Sequence, residues 1–225
     1  MFAGKLRARR EPLTQAEPSV VDSRTFANAV AASPAMMSDL EAFRCILEEW
    51  NTRMNLVGPS AMAQFWGRHA FDSAQLLALA PARRVWADLG AGAGFPGIVL
   101  AILLKGVPGA MVHLIDSQAK RTRFLSEVVQ QLSLPAMVHT GRAEALTPPE
   151  GLEIVTARAF APMTKLLQYA YPYLRDGVTG LFLKGRDVEN ELATALQTWN
   201  FQGTLHPSLS DPTGRIVQIE RLRHA

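Results

Sequence analysis

The stretch DLGAGAGFPG at residues 88–97 constrains this chain more than any other. RVWADLG (84–90) before it is a short apolar run that reads as a buried strand, and FPGIVLAILLKG (95–106) after it reads as a helix. Glycines at 90, 92, 94 and 97 free the connecting backbone for left-handed angles, so the main chain turns tightly and approaches something closely. Strand, glycine turn and helix in that order are half of a βαβ unit, which commits the region to a parallel sheet.

The rest of the chain continues the alternation. AMVHLID (110–116), AMVHTG (136–141), LEIVTARAF (152–160) and VTGLFLKG (178–185) read as strands. Helices are expected at 117–134, 164–177 and 188–199, the first with Phe124, Leu125, Val128, Val129 and Leu132 on one side. GTLHPSL (203–209) and GRIVQIER (214–221) pair as two late strands. The expected fold is α/β: a doubly wound, mostly parallel seven-stranded sheet of the Rossmann-like class.

The first eighty residues have a different texture. A helix is expected over 24–32, then another within 33–57, where Ser38 and Glu41 have the form of a capping box. Leu40, Phe43, Leu47, Trp50 and Met54 recur at helical spacing on one face. A third helix is expected over 61–79, ended by Pro81. This gives a disordered tail (1–20), a helical annex (21–80) and a main domain (81–225).

At 48% hydrophobic and 19% charged the chain is a folded globular protein, not a disordered one. Its formal charge of +3 permits a polyanionic partner without requiring one. Cys45 stands alone, so no internal disulfide forms and a reducing, cytoplasmic location is expected. No Cys/His spacing indicates a metal site. GIVLAILL (97–104) is too short to cross a bilayer, so no membrane is expected, and MFAGKLRARREPLTQ lacks the apolar stretch of a signal peptide.

Gly92, Gly94 and Gly97 satisfy the dinucleotide fingerprint, with Asp116 about twenty residues on. An NAD(P)-dependent oxidoreductase is therefore one alternative. Three features oppose it. Asp88 at the strand end repels a pyrophosphate and suits a cationic cofactor. Pro96 removes an amide that a phosphate would use. The frame Asp88-x-Gly90-x-Gly92-x-Gly94 is complete. S-adenosylmethionine, with its sulfonium and ammonium, fits this reading, and Asp116 accepts the ribose hydroxyls in either case.

The blocks WNTRMNLVG (50–58), RHAFDS (68–73), DLGAGAGFPGIVLAI (88–102), DSQAKRTRFL (116–125), GRAEAL (141–146), TARAFAP (156–162) and LKG (183–185) occur in order. Together they resemble the bacterial RsmG (GidB) family over residues 35 to 220. That family methylates N7 of a guanine in 16S ribosomal RNA with S-adenosylmethionine. The resemblance implies cofactor contacts at Gly90, Phe95, Ala143, Glu144 and Arg158, beside Asp88, Gly92 and Asp116 from the loop reading. It implies 16S ribosomal RNA or the small subunit as partner, and a monomer is expected.

Guanine N7 has a free lone pair and no proton to lose, so the transfer needs positioning and no general base. Arg158 and His69 are the candidate substrate-positioning residues, and no other catalytic group is assigned. His69, Asp72 and Ser73 share a helical face. ARAFAP stands where amine methylators carry N-P-P-[YF], which disfavours exocyclic amino groups. Arg53, Arg68, Lys120, Arg121, Arg123, Lys184 and Arg186 are candidates for a basic surface along RNA. A non-catalytic RNA-binding assembly protein is the other alternative.

Overall fold

Capping decides where the annex helices start. The computed structural model describes residues 20–58, 62–175 and 177–225, and the backbone of 6–8. Helix α1 (Ser23–Val30) opens at Asp22, whose carboxylate accepts from the Thr25 amide at 2.8 Å while the Asp22 amide donates to the Thr25 hydroxyl at 3.1 Å. Helix α2 (Pro34–Arg53) opens at Ser33, whose hydroxyl accepts from the Met36 amide at 3.2 Å. The box expected at Ser38 and Glu41 is therefore not the start. Pro34 in the first turn needs no amide partner, so Ser33-Pro34 begins the helix earlier. Glu41 instead pairs with Arg44 at 2.6 Å.

Leu40, Phe43 and Leu47 of α2 are buried as the stripe requires. Trp50 packs on the core and donates its indole N–H to Glu127 at 3.0 Å. The stripe stops there, because Met54 is the extended residue that caps the helix end. The helix expected over 61–79 is interrupted. Phe65–Ala70 form a π turn, in which the His69 amide reaches the Gln64 carbonyl at 3.3 Å, and the α-helix resumes over Phe71–Leu79 (α3). A Cβ on Gly67 in that turn would collide with the backbone carbonyl of Val20. The turn thus lets the start of the annex cross closely.

The strands are β1 (Leu6–Ala8), β2 (Val85–Leu89), β3 (Met111–Asp116), β4 (Ala136–Thr140), β5 (Ile154–Arg158), β6 (Thr179–Lys184), β7 (Trp199–Pro207) and β8 (Arg215–His224). They form one eight-stranded sheet in the order β1-β7-β8-β6-β5-β2-β3-β4. Strands β2 to β6 are mutually parallel, whereas β8 runs antiparallel to both β6 and β7. The seven expected strands are all present. Leu6–Ala8 add an edge strand beside Gly203–Leu205 of β7. The remainder of the tail expected to be disordered, up to residue 19, lies outside the described residues.

Alternation along β2 splits the core. Trp86 packs with α1 to α3 and with α4 (Gly97–Leu103) and α5 (Ala119–Gln131) on one face. Ala87 and Leu89 pack with α6 (Met163–Ala170), α7 (Val188–Ala195) and Phe201 on the other. Asp88 shares the parity of Trp86, so it faces α4. Leu47 of the annex and Ile98 of α4 belong to the same apolar cluster, so the core is continuous across residue 80.

That continuity predicts one unfolding transition. Leu47→Ala should cost about 2–5 kcal/mol and shift the whole chain together. Far-ultraviolet dichroism and tryptophan fluorescence should follow coincident denaturant curves. A separate early transition of the helices would show that the annex folds apart.

Candidate functional site

The sheet changes direction at β2: the chain runs to β3 and β4 on one side and returns to β5 and β6 on the other. Crevices at such a point, at the carboxyl ends of parallel strands, are where ligands bind in this architecture. Two cavities of about 310 Å³ each open there.

The glycine loop comes first. Asp88 is buried, and its carboxylate accepts from the Gly97 amide at 2.9 Å and from the Thr156 hydroxyl at 3.2 Å. Burial pushes its pKa up to about 7, against the opposing pull of those hydrogen bonds. A Cβ on Gly97 would lie 2.7 Å from the Asp88 carboxylate and collide with Leu114. The Gly90 and Ala91 amides donate to the Ile115 carbonyl at 2.8 and 3.0 Å. The Gly92 amide donates to the Asp116 carboxylate at 3.0 Å, and the Gly94 amide to the Ala91 carbonyl at 2.7 Å. Gly90, Gly92 and Gly94 all hold positive φ, which only glycine adopts readily.

A phosphate at this turn would need free amides, and these amides are engaged within the protein. The Gly90, Ala91, Gly92, Gly94 and Gly97 amides are thus withheld from a phosphate, but not by the expected route. Asp88 was expected to face the cofactor as a charge; the structure turns it inward, where it occupies the amide at the start of α4.

The first cavity is lined by Gly90, Asp116, Ala143, Glu144, Phe160 and Lys165, among others. Asp116 is 4% exposed and accepts from the Gln118 amide at 2.8 Å as well as from Gly92. Arg121 stands 3.5 Å from it. Ala143 opens a single 3₁₀ turn (Ala143–Ala145), and its carbonyl accepts from the Tyr173 hydroxyl at 2.9 Å. Burial pushes that hydroxyl up to about 12, so it stays a donor. Glu144 lies on the rim, 3.9 Å from Arg142. The Phe160 ring covers Gly90 so closely that a Cβ there would collide with it. Ala159 before it holds a left-handed φ of 51°.

The second cavity takes His69, Asp72, Arg158, Lys184, Asp211 and Arg215 into its wall. Both ring nitrogens of His69 are buried and have no hydrogen-bond partner among the described residues. Burial, then the Arg158 and Arg68 charges, pushes its pKa down to about 3, so the ring is neutral at physiological pH. Burial also holds Arg158 below the ordinary arginine range, offset in part by Asp72 at 3.5 Å. The other Asp72 oxygen accepts from Gln75 at 2.9 Å, Ser210 at 2.7 Å and Ser208 at 3.3 Å.

The structure therefore gathers Gly90, Asp116, Ala143 and Glu144 around one cavity and His69 and Arg158 around the other. Phe95 lies between as a buried packing residue, with the Arg158 guanidinium 5.2 Å from its ring centroid and His69 at 5.1 Å. Gly92 acts through its bond to Asp116. Asp72, expected with His69 and Ser73 in a structural or RNA-positioning role, enters the site through its contact with Arg158. Ser73 donates to the His69 carbonyl at 2.7 Å and is a helix residue only. Of the basic candidates, Arg53 pairs with Glu49 at 2.7 Å, Arg68 with Asp211, and Lys184 with Glu191 at 2.5 Å. Lys120 and Arg123 are exposed on α5, while Arg186 joins Arg215 in an adjoining cavity of about 240 Å³.

The family model for rRNA small subunit methyltransferase G matches residues 36–215. The ribosomal RNA small subunit methyltransferase G of Caulobacter vibrioides is 56% identical over 210 residues, 93% of this chain and 96% of that protein. That of Rhodospirillum rubrum is 45% identical over 201 residues, 89% and 98% of the two chains. Among solved structures, a SAM-dependent methyltransferase from Aquifex aeolicus superposes with a TM-score of 0.55 at 14% identity, covering 78% of this chain and 97% of that one. This last likeness is one of fold.

The two shifted groups predict opposed pH effects. Asp88 ionises near 3.8 ordinarily and near 7 when folded, so folding takes up a proton between those values and stability falls as pH rises through them. His69 titrates near 6.5 ordinarily and near 3 when folded, so folding releases a proton and stability rises with pH over that window. Relative to the parent, Asp88→Asn should therefore gain stability between about pH 4.5 and 7, and His69→Gln should lose it. Denaturant unfolding at both pH values checks this. Offsets that are the same at the two pH values would contradict both assignments.

Proposed function

The chain belongs to the rRNA small subunit methyltransferase G family, and from that premise we propose that it transfers the methyl group of S-adenosylmethionine to N7 of a guanine in 16S ribosomal RNA. The cofactor sits in the cavity at Gly90 and the guanine in the cavity at His69 and Arg158. The observation that carries this reading is the pair of cavities at the β2/β5 crevice, one walled by Asp116 and the other by an unpartnered neutral histidine.

The first cavity fits the cofactor. Its loop keeps the Gly90, Ala91, Gly92 and Gly94 amides from a diphosphate, and Asp116 keeps lone pairs for ribose hydroxyls beyond those its amide partners use. Tyr173 fixes the Ala143 turn, which presents its backbone edge to an adenine, and Glu144 accepts from the adenine amino group. Bound there, S-adenosylmethionine supplies an electrophilic methyl carbon.

The second cavity positions the base. Neutral His69 has one nitrogen that donates and one that accepts, and it adds no charge to a purine that turns cationic on methylation. Arg158 is half-buried, aimed by Asp72, and its fork suits the O6 edge beside N7 or a flanking phosphate. Guanine N7 holds no proton, so alignment does the work, up to roughly 7–11 kcal/mol in favourable cases. The cofactor wall comes from residues after 80, whereas Arg68, His69 and Asp72 come from before it. This supports 21–80 as a substrate-recognition annex on a methyltransferase domain at 81–225. Few large apolar side chains are exposed, Val21 and Met137 foremost, which supports a monomer. No helix among the described residues is long and apolar enough to cross a membrane, and the enzyme is read as acting in the cytoplasm, with its ribosomal substrate.

Incubation with labelled S-adenosylmethionine and small ribosomal subunits should yield 7-methylguanosine in 16S RNA, read by nucleoside mass analysis. Arg158→Ala should lower kcat/KM by about 10–100-fold, with cofactor affinity retained. Label found only on protein, or on another base atom, would refute the proposal.

A further inference from the structure

The methionine end of S-adenosylmethionine carries a carboxylate, and a buried or half-buried carboxylate needs donors. In many sites a glycine loop supplies them, but here the amides of Gly90, Ala91, Gly92 and Gly94 already donate within the protein. The start of α4 is closed as well, by Asp88. A charged side chain in the cavity wall can do this work.

The charged residues in the wall of the first cavity are Asp116, Arg142, Glu144 and Lys165. Arg142 stands beside Glu144, at the end assigned to adenine. Lys165 has no carboxylate within 4.0 Å among the described residues. Its ammonium lies 5.7 Å from the centroid of the Tyr169 ring. Tyr169 stands edge-on to Phe160 with centroids 5.5 Å apart, and Phe160 covers Gly90. This chain of contacts puts the lysine at the Gly90 end of the cavity, away from Glu144. The Met163 amide donates to Glu191 at 2.7 Å, which anchors the first turn of α6 that carries Lys165.

We propose that Lys165 binds the carboxylate of the cofactor's methionine portion and makes the site selective for ligands that carry it. The proposal rests on the placement of the cofactor at Gly90 given above. The lysine holds one ligand group and takes no part in the transfer.

The test is calorimetric and needs no turnover. The full chain and its Lys165→Met, Lys165→Arg and Lys165→Glu variants are titrated with S-adenosylhomocysteine and with S-adenosyl-3-thiopropylamine, which lacks only the carboxylate. Lys165→Met should weaken S-adenosylhomocysteine about tenfold and leave the amine within about twofold. Lys165→Arg should recover most of the loss, and Lys165→Glu should invert the preference. Lys165 is exposed, so the variants should fold, and circular dichroism checks this. Equal weakening of both ligands, or of neither, would overturn the role of Lys165 while leaving the cofactor assignment intact. A parent chain that binds neither ligand would overturn the cofactor placement and this proposal with it.

Discussion

The bond between the Asp88 carboxylate and the Gly97 amide is the constraint on which the site depends. It joins the end of β2 to the start of α4 with nothing between, because glycine at 97 leaves room for the acid. Thr156 on β5 adds a second tie across the sheet. The loop in the middle is then fixed, and its amides turn back onto Ile115, Asp116 and Ala91. A glycine turn that looks phosphate-binding in outline has most of its amides turned inward. What remains at its surface is bare backbone at Gly90, apolar cover from Phe160, and carboxylates at Asp116 and Glu144.

Around that loop the fold divides the chemistry between two places. The residue after β2, the end of β3, the turn after β4 and α6 make the first cavity, and the π turn, α3, the ends of β5 and β6 and the β7–β8 turn make the second. Ala159 and Phe160 stand at the border, Ala159 in one wall and Phe160 in the other, with Ala159 in a backbone conformation that alanine rarely holds. His69 reaches the second cavity from a π turn, a distortion that recurs at functional sites. Asp72, Ser208 and Ser210 hold Arg158 in place from opposite ends of the chain.

Much of this was legible in the residues. Alternating apolar runs and helical stripes marked the strands and helices, because both periodicities are local. The resemblance carried by the ordered blocks pointed to Gly90, Ala143 and Glu144, and the loop reading to Asp116; the structure brings these four to one cavity, while Phe95 and Arg158, also implied by the resemblance, lie outside its wall. The direction of Asp88 was not legible. It depends on which face of β2 receives α4, and that is settled by packing. The Ser33 start of α2 was obscured by a plausible later box at Ser38. The π turn was hidden because one inserted residue barely disturbs an apolar pattern. Asp72's partners Ser208 and Ser210 lie more than a hundred residues away, and no local pattern links them to it.

A loop with its amides turned inward is expected to admit a phosphate-free adenosyl cofactor and to reject a dinucleotide. Competitive titration of the full chain with S-adenosylhomocysteine and NADH tests it most directly. Saturable binding of S-adenosylhomocysteine that excess NADH does not reduce is the expected result. Displacement of S-adenosylhomocysteine by NADH at comparable concentration would contradict it.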